Sequence, residues 1–134
     1  MFGVDLTQCA ALVVDDNDFV RLEMKKNLVY LGFKDVFEAA NGMAAMPLLA
    51  KNPDIIICDI NMEPLNGFEF VKHVRALPPP AGDVPIIFLT GDAQEKQVQE
   101  AVDLSVNAYL LKPVTIDNLK SKIVALLSRR KQTT

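Results

Sequence analysis

The chain has 134 residues, of which 50% are hydrophobic, and a formal net charge of −3 at pH 7. This length suits a single domain over residues 1–134, with a core from about 9 to 128, and leaves no room for a second domain. The acidic balance argues against nucleic-acid binding, which needs a clustered basic face. The apolar stretches are too short for a membrane span and the N-terminus lacks a signal pattern, so we expect a cytoplasmic protein without membrane contact.

The first half of the chain alternates strands and helices. Its predicted strands lie at residues 9–14 and 36–39, and the predicted helix between them at 18–31. Gly32 ends this helix. Asn41 and Gly42 form a cap signal for a second helix that runs to about residue 51. Pro47 falls inside it, where the missing N–H and the ring disturb a second turn, so we expect a kink or a late start.

The second half continues the alternation. Its predicted strands lie at residues 55–58, 86–89 and 108–111, and its predicted helices at 67–77, 94–104 and 116–128. The three prolines at 78–80 indicate a rigid loop rather than a domain linker. A basic run at residues 129–131 begins a polar tail over 129–134, which we expect to be solvated. Cys9 and Cys58 lie in apolar strands without CxxC spacing, which predicts buried, reduced thiols.

Four of the predicted strands end on polar residues suited to phosphoryl chemistry. Asp15 and Asp16 follow the first strand, Asp59 ends the third, Thr90 the fourth, and Lys112 follows the fifth. Short apolar runs separated by helices indicate a parallel α/β sheet, which binds ligands at the carboxyl ends of its strands. Three carboxylates, a hydroxyl and an amine are therefore expected at one edge of the sheet.

These residue types together favour a magnesium-dependent phosphoryl-transfer site. Three neighbouring carboxylates repel one another, and Mg²⁺, which takes oxygen ligands at about 2.0–2.1 Å, relieves that repulsion. Lys112 and Thr90 would stabilise charge on a phosphoryl group attached to a carboxylate. The Asp15–Asp16 pair alone could be a helix-capping loop. A cap does not explain why acidic, hydroxyl and amine side chains end the other strands.

The arrangement resembles the receiver domain of bacterial response regulators, over nearly the whole chain. That family has an acidic pair after the first strand, a phosphoacceptor Asp at the end of the third, a Ser or Thr at the end of the fourth and a Lys-Pro step after the fifth. Here these are Asp15 and Asp16, Asp59, Thr90, and Lys112 with Pro113. The resemblance implies a doubly wound, flavodoxin-like sheet of five parallel strands in the order 2-1-3-4-5, with five helices.

The resemblance also implies roles for individual residues. Asp59 is the phosphoacceptor, and Asp16, Asp59 and the backbone carbonyl of Asn61 bind Mg²⁺, with Asp15 acting through water. Lys112 and Pro113 are joined by a cis peptide bond. Thr90 and Tyr109 form a switch in which the aromatic side chain turns inward when the hydroxyl moves toward the phosphoryl group. One departure is Glu63, which separates the family's usual Met-Pro pair and leaves the shape of that loop in question.

The expected partners follow from the same resemblance. A sensor histidine kinase or a phosphotransfer protein supplies the phosphoryl group, and the chain catalyses only its own phosphorylation and dephosphorylation. The phosphorylated form is expected to dock a downstream protein through the face formed by residues 94–128, with a homodimer as another outcome. Asn61 and Asp92 resemble the residues of receivers whose phosphoryl group is short-lived.

Two other functions fit parts of the sequence. A haloacid-dehalogenase-type phosphatase would use Asp16 as its nucleophile, but this leaves Asp59 unexplained. Such an enzyme also needs a late acidic pair, and only Asp117 follows Lys112. A flavodoxin-like electron carrier needs a phosphate-binding loop after the first strand, where the acids of this chain would repel a flavin phosphate.

Overall fold

The computed structural model describes residues 4–91 and 105–132. Within these ranges the strands are β1 (Ala10–Val14), β2 (Asp35–Ala39), β3 (Ile55–Asp59), β4 (Ile86–Thr90) and β5 (Ala108–Leu111). The α-helices in the same ranges are α1 (Asp18–Leu31), α2 (Gly42–Ala45), α3 (Gly67–Arg75) and α4 (Ile116–Gln132). The helix expected at residues 94–104, together with Asp92, lies outside the described residues.

All five strands are parallel and form one sheet in the order β2-β1-β3-β4-β5. This is the predicted doubly wound order. The chain starts near the middle of the sheet, moves outward to β2, and then crosses back over β1 to build the other side. The reversal places the carboxyl ends of β1 and β3 next to each other at the switch point, where such sheets bind ligands.

The sheet separates two apolar cores. Leu12 and Ile56 face one core, while Val13 and Ile57 face the other, because successive side chains of a strand point to opposite faces. All four of these side chains are fully buried. Strands covered on both faces read as continuous apolar runs, which explains the sequence pattern of β1, β3 and β4.

The second helical segment is interrupted at Pro47, as expected. Asn41 caps α2 by accepting a hydrogen bond from the backbone N–H of Ala44 at 2.8 Å. The α-helix then ends at Ala45 and continues as a 3-10 helix over Met46–Lys51, with Pro47 in its first turn. A proline is tolerated there because the N–H groups of a first turn have no partner within the helix.

The last helix is longer than predicted. α4 continues to Gln132, four residues beyond the expected end at 128. The segment 129–132 contains neither Gly nor Pro, so no helix-breaking residue stops the helix at 128. None of the helices in the described ranges combines the length and apolar character that crossing a membrane requires. Cys9 and Cys58 are buried and take part in no disulfide within the described residues, as predicted.

Candidate functional site

The carboxyl edge of the sheet collects the side chains that the sequence singled out. Asp15 and Asp16 follow β1, Asp59 ends β3, Thr90 ends β4 and Lys112 follows β5. The backbone ladder extends past two of these strand ends. The N–H of Asp15 donates to the carbonyl of Ala39 at 3.1 Å, and the N–H of Lys112 donates to the carbonyl of Thr90 at 2.8 Å. The sheet therefore fixes the backbone from which both side chains project.

Three carboxylates form a cluster at this edge. Asp15, Asp16 and Asp59 each offer an oxygen, and these atoms lie within 4.8 Å of one another. Asp15 and Asp59 are buried, whereas Asp16 is exposed. The cluster is thus anchored in the core on one side and open to solvent on the other.

The carboxylate of Asp15 fits a bound cation. Its Oδ1 accepts a hydrogen bond from the N–H of Asn17 at 2.9 Å. Its Oδ2 is buried and has no hydrogen-bond partner among the described residues. Buried polar atoms are nearly always hydrogen-bonded, so an oxygen without a hydrogen bond beside two further carboxylates fits the donor set that a hard divalent cation such as Mg²⁺ takes.

The part-buried side chain of Lys112 supplies positive charge to the cluster. Its Nζ lies 3.2 Å from Oδ1 of Asp59 and 3.5 Å from Oδ2 of Asp15. The peptide bond between Lys112 and Pro113 is cis, as the resemblance implied. One ammonium group thus faces two buried carboxylates and cannot neutralise both.

Burial and repulsion raise the pKa of Asp59. The largest cause is the loss of solvent around the carboxylate, and the negative charge of Asp15 adds to it. The charge of Lys112 and its hydrogen bond act in the opposite direction but do not cancel the rise. The ionised form of Asp59 is therefore strained electrostatically, and additional positive charge at the site would relieve it.

The loop after β3 folds tightly under Asp59. The N–H of Gly67 donates to the carbonyl of Ile60 at 2.8 Å, which closes the loop at the start of α3. A Cβ atom on Gly67 would lie 2.7 Å from the carbonyl oxygen of Asp59, so only glycine permits this approach. The loop that carries Glu63 keeps this closure, and its Glu63–Pro64 peptide bond is cis.

The remaining predicted residues lie around the cluster. Thr90 is buried at the end of β4. Tyr109 pairs in register with Phe88 of β4, and 41% of its surface is exposed. Asn61 is exposed in the loop that follows β3. Tyr109 is therefore accessible to solvent in this structure, whereas the hydroxyl-bearing Thr90 belongs to the interior.

Sequence reasoning missed Arg21. Its Nη1 donates to the backbone carbonyl of Asp15 at 2.8 Å, and its Nη2 lies 2.6 Å from Oδ1 of Asp18. The pair with Asp18 has the i, i+3 spacing of neighbours on a helix and was readable from the sequence. The contact with Asp15 was not, because its acceptor is a backbone atom outside the helix.

Comparison with known proteins agrees with this geometry. The family model described as response regulator receiver domain matches residues 11–124. A chemotaxis protein CheY homolog of Campylobacter jejuni is 42% identical over 118 residues, which cover 87% of this chain and 90% of the relative. Chemotaxis protein CheY1 of Helicobacter pylori is 39% identical over 118 residues, with 87% and 94% coverage.

A solved structure supports the same assignment. Chemotaxis protein CheY4 of Vibrio cholerae, crystallised at low pH, superposes with a TM-score of 0.79 at 32% identity and covers 86% of this chain and 95% of its own. These matches confirm the predicted response-regulator fold and its two-component signalling class, and they give no support to the phosphatase alternative. The chain therefore belongs to the response regulator receiver domain family, among its CheY-like members.

Proposed function

We propose that the chain is the phosphoacceptor of a two-component pathway, in which Asp59 receives a phosphoryl group from a sensor histidine kinase or a phosphotransfer protein. The observation that carries this proposal is the position of Asp59. Its carboxylate is buried beside two further carboxylates, and the ammonium group of Lys112 lies 3.2 Å from its Oδ1. A structural ion pair alone would not need the additional acids.

The chemistry assigned to the chain is a single displacement at phosphorus. An Oδ atom of Asp59 forms a bond to phosphorus while the bond from phosphorus to the donor nitrogen breaks, and the electron pair of that bond returns to the donor imidazole. Charge is carried by the equatorial oxygens of the group in transfer. Lys112 and the hydroxyl of Thr90 are assigned to those oxygens, since Thr90 ends the strand next to β3 and the Nζ of Lys112 lies 3.2 Å from Oδ1 of Asp59.

We assign Mg²⁺ to the acidic cluster, held by Asp16, Asp59 and the backbone carbonyl of Asn61, with Asp15 acting through water. When bound, the ion supplies positive charge to the carboxylates and to the phosphoryl oxygens. Two observations support this assignment: Oδ2 of Asp15 accepts no hydrogen bond from the described residues, and Asp16 is open to solvent. The catalytic activity of the chain is limited to its own phosphorylation and dephosphorylation.

The surface beside the cluster supports a protein as the phosphodonor. A groove of about 460 Å³ runs between α1 and the segment after β5, next to Lys112. Phe19, Met24 and Pro113 contribute to its lining, and Phe19 is 72% exposed. An exposed aromatic side chain next to a charged site is typical of a protein interface.

The output is assigned to the face of residues 94–128. Thr90 and Tyr109 form the switch. A phosphoryl group on Asp59 attracts the hydroxyl of Thr90, and the movement of that hydroxyl leaves space into which the ring of Tyr109 turns. Tyr109 and Leu111 are exposed on β5, and such apolar surface on an edge strand suits a protein partner. The relatives named above are chemotaxis proteins, which also favours output by docking. A second copy of the chain is the alternative occupant.

Phosphorylation is tested with a small phosphodonor. The protein is incubated with acetyl phosphate and Mg²⁺, the acyl phosphate is reduced with borohydride, and the modified residue is mapped by mass spectrometry. We expect modification at Asp59 alone, no modification of Asp59→Asn, and normal modification of the control Asp35→Asn, which changes an exposed acid on β2. Modification at Asp16, or an acid-stable label on Asp59→Asn, contradicts the proposal.

The output is tested by size-exclusion chromatography and a partner-binding assay with and without acetyl phosphate. We expect phosphorylation to change partner affinity or self-association, and Tyr109→Ala to reduce that change while leaving phosphorylation intact. A shift in the mobility of specific DNA instead would contradict a protein-docking output.

A further inference from the structure

The guanidinium group of Arg21 connects α1 to the acidic loop. In addition to the carbonyl of Asp15 and the carboxylate of Asp18, it faces Glu38 of β2, whose Oε1 lies 3.6 Å from Nε. The side chain of Arg21 is only 17% exposed. Its planar fork therefore has a fixed orientation in which different nitrogens serve different acceptors.

The hydrogen bond from Arg21 to Asp15 adds to other hydrogen bonds that hold the backbone of Asp15 in place. The N–H of Asp15 is bonded to the carbonyl of Ala39, and its Oδ1 accepts from the N–H of Asn17. Because Arg21 also donates to the carbonyl oxygen, the N–H, the carbonyl oxygen and one carboxylate oxygen of Asp15 are all hydrogen-bonded. Asp16 is exposed, and its orientation depends on the peptide plane that this carbonyl defines.

We propose that Arg21 is a positioning residue of the metal site, which binds the Asp15 carbonyl and thereby holds the Asp15–Asp16 peptide so that both carboxylates converge with Asp59. This inference rests on the proposed function because it requires the cluster to bind Mg²⁺. Groups that orient metal ligands commonly affect metal affinity without touching the ion.

A purely structural role predicts a different result. The pair of Lys25 with Glu38, at 3.1 Å, joins α1 to β2 as Arg21 does but is not bonded to the Asp15 carbonyl. If Arg21 only fastens the helix to the sheet, Lys25→Ala and Arg21→Ala will have similar consequences. If Arg21 positions the loop, only the Arg21 variant will change metal binding.

The direction in which Mg²⁺ affinity changes in Arg21→Ala distinguishes a positioning role from a purely electrostatic one. Removing a cation near an acidic cluster strengthens the attraction for Mg²⁺, so an electrostatic effect alone would tighten binding in Arg21→Ala. Loss of positioning weakens binding instead. Arg21→Lys keeps the charge but lacks the fork that reaches two acceptors at once, so we expect it to weaken binding as well.

The experiment measures Mg²⁺ dissociation constants from amide chemical shifts, with magnesium chloride titrated into the unphosphorylated full chain. The variants are wild type, Arg21→Ala, Arg21→Lys, Lys25→Ala and Asp16→Ala, each first checked for a cooperative thermal transition in chelator. We expect about tenfold weaker binding in Arg21→Ala, weaker binding in Arg21→Lys, unchanged or slightly tighter binding in Lys25→Ala and none in Asp16→Ala. Hydrogen exchange at the N–H of Asn17 in metal-free protein should be faster in Arg21→Ala and Arg21→Lys than in wild type, and unchanged in Lys25→Ala.

The outcomes are distinguishable. Tighter or unchanged binding in Arg21→Ala, with normal binding by wild type, overturns the role of Arg21 and leaves the proposed function standing. Failure of wild type to bind Mg²⁺ overturns the proposed function and this inference together. If Arg21→Ala does not fold, Arg21→Lys decides, since wild-type affinity in that variant overturns the positioning role.

Discussion

The ammonium group of Lys112 lies 3.2 Å from Oδ1 of Asp59, although the strands that carry these residues are separated in the sheet by β4. The same group lies 3.5 Å from Oδ2 of Asp15. The part-buried Lys112 therefore serves as the cation for two buried acids. This relationship leads to predictions about stability as well as about phosphoryl transfer.

Replacing Lys112 with Met should destabilise the fold, because it keeps most of the chain length but leaves both carboxylates without their cation. We expect the free energy of unfolding in metal-free buffer at pH 7 to fall by about 1–3 kcal/mol, measured by urea denaturation. The control is Lys25→Met, which removes an exposed ion pair with Glu38 and should cost less than about 1 kcal/mol. Equal losses in the two variants would contradict the role assigned to Lys112.

Replacing Asp59 with Asn should stabilise the metal-free protein at neutral pH. The pKa of Asp59 is raised above 3.8 in the folded state, so the folded protein binds this proton more tightly than the unfolded chain. Its ionisation thus costs stability above the raised pKa, and this cost disappears as the pH falls through that pKa toward 3.8. Urea denaturation in chelator should show Asp59→Asn as the more stable protein at pH 7, with a difference that closes on acidification. A difference that widens on acidification would have the wrong sign.

Magnesium should raise the melting temperature of wild type, because a ligand that binds only the folded state stabilises it by mass action. Asp16→Ala should fold normally, since Asp16 is exposed, but Mg²⁺ should no longer raise its melting temperature. Asp35→Ala, which removes an exposed acid at the start of β2, should keep the increase. Differential scanning calorimetry with chelator and with Mg²⁺ tests all three, and an increase retained in Asp16→Ala would remove that residue from the metal site.

Gly67→Ala should disturb the backbone of the phosphoacceptor. The added Cβ would lie 2.7 Å from the carbonyl oxygen of Asp59 and 2.8 Å from Cα of Ile60, neither of which is a flexible side chain. We expect a loss of about 1–3 kcal/mol in stability and slower phosphorylation by acetyl phosphate. Gly91→Ala is the matched control for stability, because no atom of the described residues lies within 4 Å of its Cβ position. If Gly67→Ala changed neither stability nor the rate of phosphorylation, the loop would be able to accommodate the added Cβ without cost.

Pro47→Ala should not stabilise the protein. Inside an α-helix this change would gain roughly 3 kcal/mol, but Pro47 lies in the first turn of a 3-10 helix, where no backbone N–H is needed for a hydrogen bond within the helix. We expect the free energy of unfolding to stay constant or fall by up to about 1 kcal/mol, because alanine gives the unfolded chain more conformational freedom. A gain in stability together with a gain in helical circular dichroism would show that the proline had broken a continuous helix.

Local sequence patterns predicted most of the fold. Apolar runs of strand length predicted all five strands, Gly32 ends α1 in the left-handed conformation, and Asn41 caps α2. These features depend on residues within one turn or one strand, so periodicity and capping rules apply to them directly. The convergence of the polar strand ends also follows from the sequence, because a parallel sheet brings all carboxyl ends to one edge. The order of the strands came from the resemblance to receiver domains.

Contacts between distant segments could be decided only by the tertiary structure. The four acceptors of Arg75 show this, since it donates to the carbonyl oxygens of Gly82, Val84 and Ser105 and to Oδ1 of Asn107. Three of them are backbone atoms, which carry no sequence signal, and Ser105 and Asn107 lie about thirty residues away.

The different environments of Asp15 and Asp16 were also decided by the tertiary structure. Asp15 and Asp16 are adjacent and chemically identical, and the sequence determined only that both follow β1. Whether a carboxylate is buried depends on which elements cover it, and here Asp15 points into the protein while Asp16 meets solvent. The packing of separate elements decides that difference. The same packing brings Lys112 across β4 to Asp59 and Arg21 to the carbonyl of Asp15. No local sequence pattern encodes these contacts.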